Sequence, residues 1–187
     1  MAIKYSIIKR FFDLFFSVLL FFSLFFFMAI FFFVLSYTLR QNPIFVQQRI
    51  GKNNTPFLIY KFKTMVGDAV PNKLCLVMRK LAIDELPQLL NIILGDMSFV
   101  GPRPLLPEYL PLYSVHQQQR HLVMPGLTGL AQIKGGNMLS WEKRLALDVK
   151  YVQNQSFKLD LSILLATILV FTSKKSSHFS EPFTGNN

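Results

Sequence analysis

The sequence predicts a helix-rich α/β fold, in which a compact cytoplasmic domain over residues 41–187 is carried on an N-terminal hydrophobic membrane anchor over residues 1–40. Three observations predict it. Apolar residues make up 51% of the 187-residue chain and charged ones 16%, against about 25% charged in an average soluble protein, which excludes disorder as the general state. Phe occurs 20 times, and twelve of those lie between Phe11 and Phe33, so the apolar excess is local. Beyond the excess, short strand-like runs precede longer helix-like ones, over a length suited to one core.

The anchor comes first. Leu14 to Leu39 is 26 residues without a charge, about 39 Å as a helix against a hydrocarbon thickness of roughly 30 Å. No small-residue cleavage site follows at Ser36-Tyr37-Thr38-Leu39-Arg40, so the segment is expected to be retained. Lys4, Lys9 and Arg10 precede it while Arg40, Arg49 and Lys52 follow it, and the positive-inside rule draws both ends to the cytoplasm. A re-entrant helix, dipping into one leaflet and returning, answers this and is favoured over a single span with its less basic end outside. Only Ser17, Ser23 and Ser36 are available to ease such a turn, with no Gly or Pro from Phe11 to Asn42.

After a turn at Asn42-Pro43, Ile44 to Arg49 reads as a short strand, Gly51 to Pro56 as a loop, and Phe57 to Lys63 as a second strand. Residues 67–76 are expected to be loop. Asp84 to Leu94 reads as a helix, with Leu86, Leu89, Leu90 and Ile93 on one stripe, Asp84 at the N-cap, Pro87 in the first turn and Gly95 at the C-terminal end. Gly101-Pro102-Arg103-Pro104 breaks regular structure, and Pro125-Gly126, Gly129 and Gly135-Gly136 mark a second irregular stretch. A helix then runs from a Ser140 cap to Gln153. Leu161 to Ser173 is uncharged, too short to span, and suits a core or interfacial helix.

Between Met1 and Gly67, eight basic residues face one acid, Asp13, which accounts for +7 of the formal +10. Such a section suits the anionic lipids of the cytoplasmic leaflet, where each cation near the surface contributes roughly 1 kcal/mol. No nucleic acid is expected, because no basic stripe with interleaved aromatics and no zinc-finger or RRM signature is present. The single cysteine, Cys75, forms no internal disulfide, and the histidines at 116, 121 and 178 lack zinc-site spacing.

The phosphate-loop, GxGxxG, HExxH and GxSxG motifs are absent. Asp84-Glu85 is the first chemical candidate. A carboxylate at a helix N-terminus stays ionised and able to attack phosphorus, and two adjacent carboxylates offer Mg2+ hard oxygen ligands. The alternative is an ordinary cap followed by an ordinary first-turn acid. Arg103, fixed between Pro102 and Pro104, is placed to bind phosphate or is simply a solvated turn residue. Lys61 and Lys63 share one strand face, and Arg79-Lys80 stands just before Asp84; these either gather round a diphosphate or face anionic lipid. Trp141 and Tyr151 read as packing or interface aromatics, and His121 beside Arg120 as a satisfied core or surface histidine rather than a catalyst.

Several stretches together resemble the bacterial sugar transferase family, the small monotopic polyprenol-phosphate phosphoglycosyl transferases. These are Lys9-Arg10-Phe11-Phe12-Asp13, Gln48-Arg49-Ile50-Gly51, Tyr60-Lys61-Phe62-Lys63-Thr64-Met65, Asp84-Glu85-Leu86-Pro87-Gln88-Leu89-Leu90-Asn91, Gly95 to Pro104, and Pro125 to Gln132. They fall in the family's order from about residue 5 to 172. The resemblance implies transfer of a phosphosugar from a UDP-sugar to undecaprenyl phosphate with Mg2+, releasing UMP, at the cytoplasmic face of the bacterial inner membrane. It implies Asp84 as nucleophile, Glu85 as metal ligand or orienting group, and Lys61, Lys63, Arg79 and Arg103 as phosphate-binding cations. The partners implied are anionic lipids and downstream glycosyltransferases.

Three positions depart from the family pattern: Ser23-Leu24 stands where Ser-Pro is usual, Lys63 where Arg is usual, and Gly136 where an Arg is usual. The first and the last leave a second expectation beside the phosphoglycosyl transferase, a catalytically degraded membrane-bound assembly partner. The identity of the sugar is not encoded in these motifs.

Overall fold

The computed structural model describes residues 2–65 and 73–172. The segment expected to be the anchor is two helices, α1 (Ala2–Ser23) and α2 (Phe25–Leu39), bent by 60°. No single helix among the described residues is long and apolar enough to cross a membrane, whereas the bent pair together meets both conditions. The bend forms without proline. Ser23 Oγ donates to the Leu19 carbonyl at 2.8 Å, a side-chain competition that bends helices, and Leu24 sits at φ −96°, ψ 2°, outside the α region. The two arms also pack on different partners. α1 lies against later helical and strand elements of the domain, while Met28 and Leu35 of α2 join Phe62, Cys75 and Met78 in one buried cluster.

Tyr5, Lys9, Arg10 and Asp13 of α1 face inward, which corrects the reading of Lys9 and Arg10 as a basic flank at the lipid surface. Lys9 pairs with Asp160, and Tyr5 donates to the same carboxylate at 2.7 Å. Arg10 donates to the carbonyls of Ile92 and Ile93 at 2.5 and 2.9 Å, satisfying acceptors that a helix end leaves open. Asp13 accepts from the Phe99 amide at 3.2 Å.

The two expected strands, β1 (Ile44–Ile50) and β2 (Pro56–Phe62), pair as an antiparallel hairpin, with Phe45 opposite Lys61 and Arg49 opposite Phe57. Of the expected loop 67–76, residues up to 72 lie outside the described ones; from Lys73 the chain is already helical as α3 (Lys73–Lys80). Cys75 and Met78, three apart, are buried against α2, and so short an amphipathic helix depends on that packing rather than on propensity.

The next helix is shorter than expected. A 3-10 turn occupies Ile83–Glu85, Pro87 stands at the N-cap, and α4 runs over Gln88–Leu94. Asp84 is therefore not the cap. Glu85 and Leu86 donate three residues back to Ala82 and Ile83, and Pro87 has no N-H with which to continue an α ladder. Gly95, at φ 94°, ends α4 as expected, its amide donating to Asn91 and Ile92.

Strands β3 (Ser98–Val100) and β4 (Gly126–Thr128) pair in parallel, Ser98 with Gly126 and Val100 with Thr128. Between them lie 3-10 turns and the one-turn helix α5 (Val115–Gln118), capped by Ser114. β4 and the following α6 (Leu130–Lys134) occupy the stretch expected to be irregular, because three-residue strands carry no readable periodicity. The glycines have a packing role: a Cβ on Gly126 would lie 2.0 Å from the Gly101 amide nitrogen. The backbones touch there, with Gly101 donating to Thr128 and Gly126 to Pro102, each at 2.9 Å. α7 (Trp141–Gln153) starts at Ser140, whose hydroxyl accepts from the Lys143 amide, as expected. α8 (Phe157–Thr172) closes the described chain and buries Ile163 with Val100, Leu130 and Tyr151.

Candidate active site

Two distant chain segments converge on Glu85. Its Oε1 accepts from Lys61 Nζ of β2 and from Arg103 Nη2 of the loop after β3, both at 2.8 Å. Burial alone would raise the Glu85 carboxyl, but Arg103 and Lys61 overcome it and hold it at about 2. Glu85 is thus a fixed anion. Arg103 is raised in turn by Glu85. Lys61 is lowered, because burial outweighs the pull of Glu85; the pair's net contribution is smaller than Glu85's depression taken alone.

Asp84, half-buried beside it, behaves in the opposite sense. Burial first, then the charge of Glu85, push its carboxyl above the ordinary range, offset in part by Lys61 and Arg79. The expected position at the N-terminus of the long helix is corrected: the 3-10 turn places Asp84 outside α4. Arg79, exposed in the last turn of α3, acts on Asp84 by charge. Lys63 takes another direction and donates to Gln41 Oε1 at 3.3 Å.

Residues not singled out by sequence hold this arrangement. Asn91, wholly buried, donates to the Leu58 carbonyl at 2.6 Å and accepts from the Tyr60 amide at 3.1 Å, fixing β2 just before Lys61. Arg120 donates Nε and Nη2 to Asp148 Oδ2 at 3.1 and 2.8 Å, and Nη2 also reaches the Arg103 carbonyl at 2.7 Å. Asp148 had a signal: it is a charged residue three positions after Leu145 on the buried stripe of α7. Arg120 had none, since its partner lies in another helix.

His121 is a core histidine, as one of its two readings had it. Its Nδ1 lies 3.2 Å from the Gly51 carbonyl. A carbonyl only accepts, so Nδ1 carries the proton, and burial with the neighbouring Arg120 charge lowers the ring to about 4. Trp141 and Tyr151 are buried packing residues; Tyr151 also donates to Asp160 Oδ1 at 2.7 Å.

Among the described residues no group of three or more His, Cys, Asp and Glu side chains gathers. Asp84 and Glu85 remain as adjacent hard-oxygen donors, and both cations on Glu85 meet Oε1. That donor set fits Mg2+ only with phosphate oxygens and water completing the shell.

The arrangement joins a fixed anion, a second carboxyl of higher proton affinity and several cations, a set suited to phosphate chemistry. Comparison with known proteins agrees. The family model described as bacterial sugar transferase matches residues 4–174. An uncharacterized sugar transferase, EpsL, from Bacillus subtilis is 44% identical over 96% of this chain and 97% of its own. The exopolysaccharide production protein ExoY of Sinorhizobium fredii is 34% identical over 92% and 89%. The undecaprenyl-phosphate glucose phosphotransferase of Komagataeibacter xylinus is 35% identical over 86% of this chain, which spans 35% of that longer protein. Ordered motifs, a carboxylate held by cations from distant segments beside a second carboxyl, and a match over nearly the whole chain have one common explanation: this chain belongs to the bacterial sugar transferase family.

Proposed function

We propose that the protein transfers a phosphosugar from a UDP-sugar to undecaprenyl phosphate, releasing UMP, through a covalent intermediate on Asp84. The observation that carries this reading is the Lys61–Glu85–Arg103 cluster beside Asp84. A carboxylate oxygen of Asp84 attacks the sugar-side phosphorus of the diphosphate. The bond from that phosphorus to the bridging oxygen breaks, and UMP leaves with that oxygen. A phosphate oxygen of the lipid then attacks the same phosphorus, the acyl-phosphate bond breaks, and the Asp84 carboxylate is restored. Splitting the transfer in two lets one nucleophile serve two dissimilar substrates.

Glu85, kept ionised, orients Lys61 and Arg103, whose remaining donors meet phosphate oxygens. Mg2+, held by Asp84 and Glu85 with substrate oxygens, would offset charge on the diphosphate. Arg79 and Lys63 would supply further positive field. The bent α1–α2 pair would rest re-entrantly in the cytoplasmic leaflet of the inner membrane. In support, Phe22, Phe26 and Phe33 expose 71%, 79% and 70% of their surface, an apolar area that lipid would cover. A site at the headgroup plane is where a soluble nucleotide meets a lipid-held phosphate.

The test is incubation of the detergent-solubilised full chain with Mg2+, undecaprenyl phosphate and a panel of UDP-sugars. UMP release with at least one sugar is expected. No release with any would leave the non-catalytic assembly role.

A further inference from the structure

We propose that Arg49 is a phosphate-binding residue of this site, taking an anionic oxygen that Lys61 and Arg103 leave uncompensated; the proposal rests on the phosphoryl-transfer reading above. In the hairpin register Phe45 opposes Lys61 and Arg49 opposes Phe57. Opposed residues share a face and alternate residues return to it, so Arg49 and Lys61 lie on the same face. The end of β1 is tied to the loop that carries Arg103: the Ile50 amide donates to the Leu105 carbonyl at 3.1 Å, and His121 holds the Gly51 carbonyl. Two guanidinium groups are thereby set near one another, and Arg49 feels both Arg103 and Glu85.

The cations differ in their partners. Lys61 and Arg103 each have the Glu85 carboxylate. Among the described residues Arg49 is in no ion pair; its Nη2 donates to the neutral Gln47 amide oxygen at 2.6 Å, and its Nε is buried without a partner. A desolvated guanidinium with an unmade hydrogen bond, beside a second positive charge, is costly unless an anion completes it. Its planar fork matches two oxygens of a phosphate. That oxygen belongs either to the diphosphate of the nucleotide donor or to the phosphate of the lipid acceptor.

Both sources are separable using Arg49→Gln and Arg49→Lys in the solubilised full chain. UDP binding is measured by calorimetry, and KM is measured for the UDP-sugar and for undecaprenyl phosphate in turn. For a donor phosphate, Arg49→Gln weakens UDP binding and raises the UDP-sugar KM by roughly tenfold or more, with Arg49→Lys between it and the native protein. A rise confined to the undecaprenyl phosphate KM assigns Arg49 to the lipid's phosphate and also supports the proposal. UDP affinity and both KM values within twofold of native overturn it, as does a native protein that binds no UDP and turns nothing over. Should Arg49→Gln not fold, the same thresholds apply to Arg49→Lys. Native protein that binds UDP through Arg49 yet releases no UMP from any sugar nucleotide sinks the functional reading and leaves this inference standing. Normal turnover in native and Arg49 variants alike does the reverse.

Discussion

Arg120 holds Arg103 by its backbone: Arg120 Nη2 donates to the Arg103 carbonyl at 2.7 Å, while Arg103 Nη2 reaches Glu85 at 2.8 Å. The chain of contacts runs from Asp148, buried in α7, through Arg120 and Arg103 to the carboxylate pair. Helix α7 thereby sets the position of a guanidinium that it does not touch.

Breaking this chain at its buried end should be severe. Arg120 is 2% exposed and Asp148 4%, and removing one partner of a buried ion pair costs about 3–5 kcal/mol. Asp148→Ala is expected to lower the melting temperature by roughly 10 °C or more. Replacing both residues with apolar ones of similar volume should cost less than the single change. A melting curve for Asp148→Ala that superimposes on the native one would refute the structural role.

Asp84→Asn should lower UMP release by on the order of a thousandfold or more, the scale seen when a nucleophile is removed. In native protein the rate should climb with pH through a limb above the ordinary carboxylate range, because burial and Glu85 push the Asp84 carboxyl up and the ionised form attacks. Undiminished turnover in the Asn variant would reject Asp84 as nucleophile.

Acid should destabilise the protein through His121 before Glu85. The folded ring is lowered from 6.5 to about 4, so its contribution is complete above pH 6.5 and is lost as pH falls toward 4, by up to about 3 kcal/mol. Glu85, depressed from 4.5 to about 2, gives a later loss between those values. Denaturant midpoints at pH 7 and 5, compared between native protein and His121→Gln, read the first window directly. An equal pH slope in both would contradict it.

Two glycines should respond differently to alanine. At Gly126 the added carbon meets backbone at 2.0 Å, so Gly126→Ala should cost about 3 kcal/mol or more. At Gly136 nothing lies within 4 Å and only the φ of 50° resists, for about 1 kcal/mol. Thermal melts of the two variants rank them; a larger loss at Gly136 would mean that the backbone approach at Gly101 is misassigned.

Topology is open to labelling. In a Cys75→Ser background, a cysteine at position 4 should stay unlabelled by an impermeant reagent applied outside intact cells if both ends of the anchor face the cytoplasm. Labelling from outside would instead establish a span.

Much was legible in the linear order of residues. The apolar excess before residue 40, the two strands, the Ser140-capped helix and the Gly95 stop follow from local periodicity and capping chemistry, which depend on near neighbours. The candidates Asp84, Glu85, Lys61 and Arg103 were visible as residue types in quoted motifs. Their convergence on one carboxylate was not, because it needs segments 18 and 24 residues from Glu85 to meet it. The inward use of Lys9 and Arg10 and the contact of Gly101 with Gly126 likewise arise only when separate elements pack, since each depends on a partner far along the chain. The same reason divides the fates of Asp84 and Glu85. Adjacent carboxyls are alike as sequence, and two cations borrowed from elsewhere lower one against its burial, while burial and its neighbour's charge raise the other.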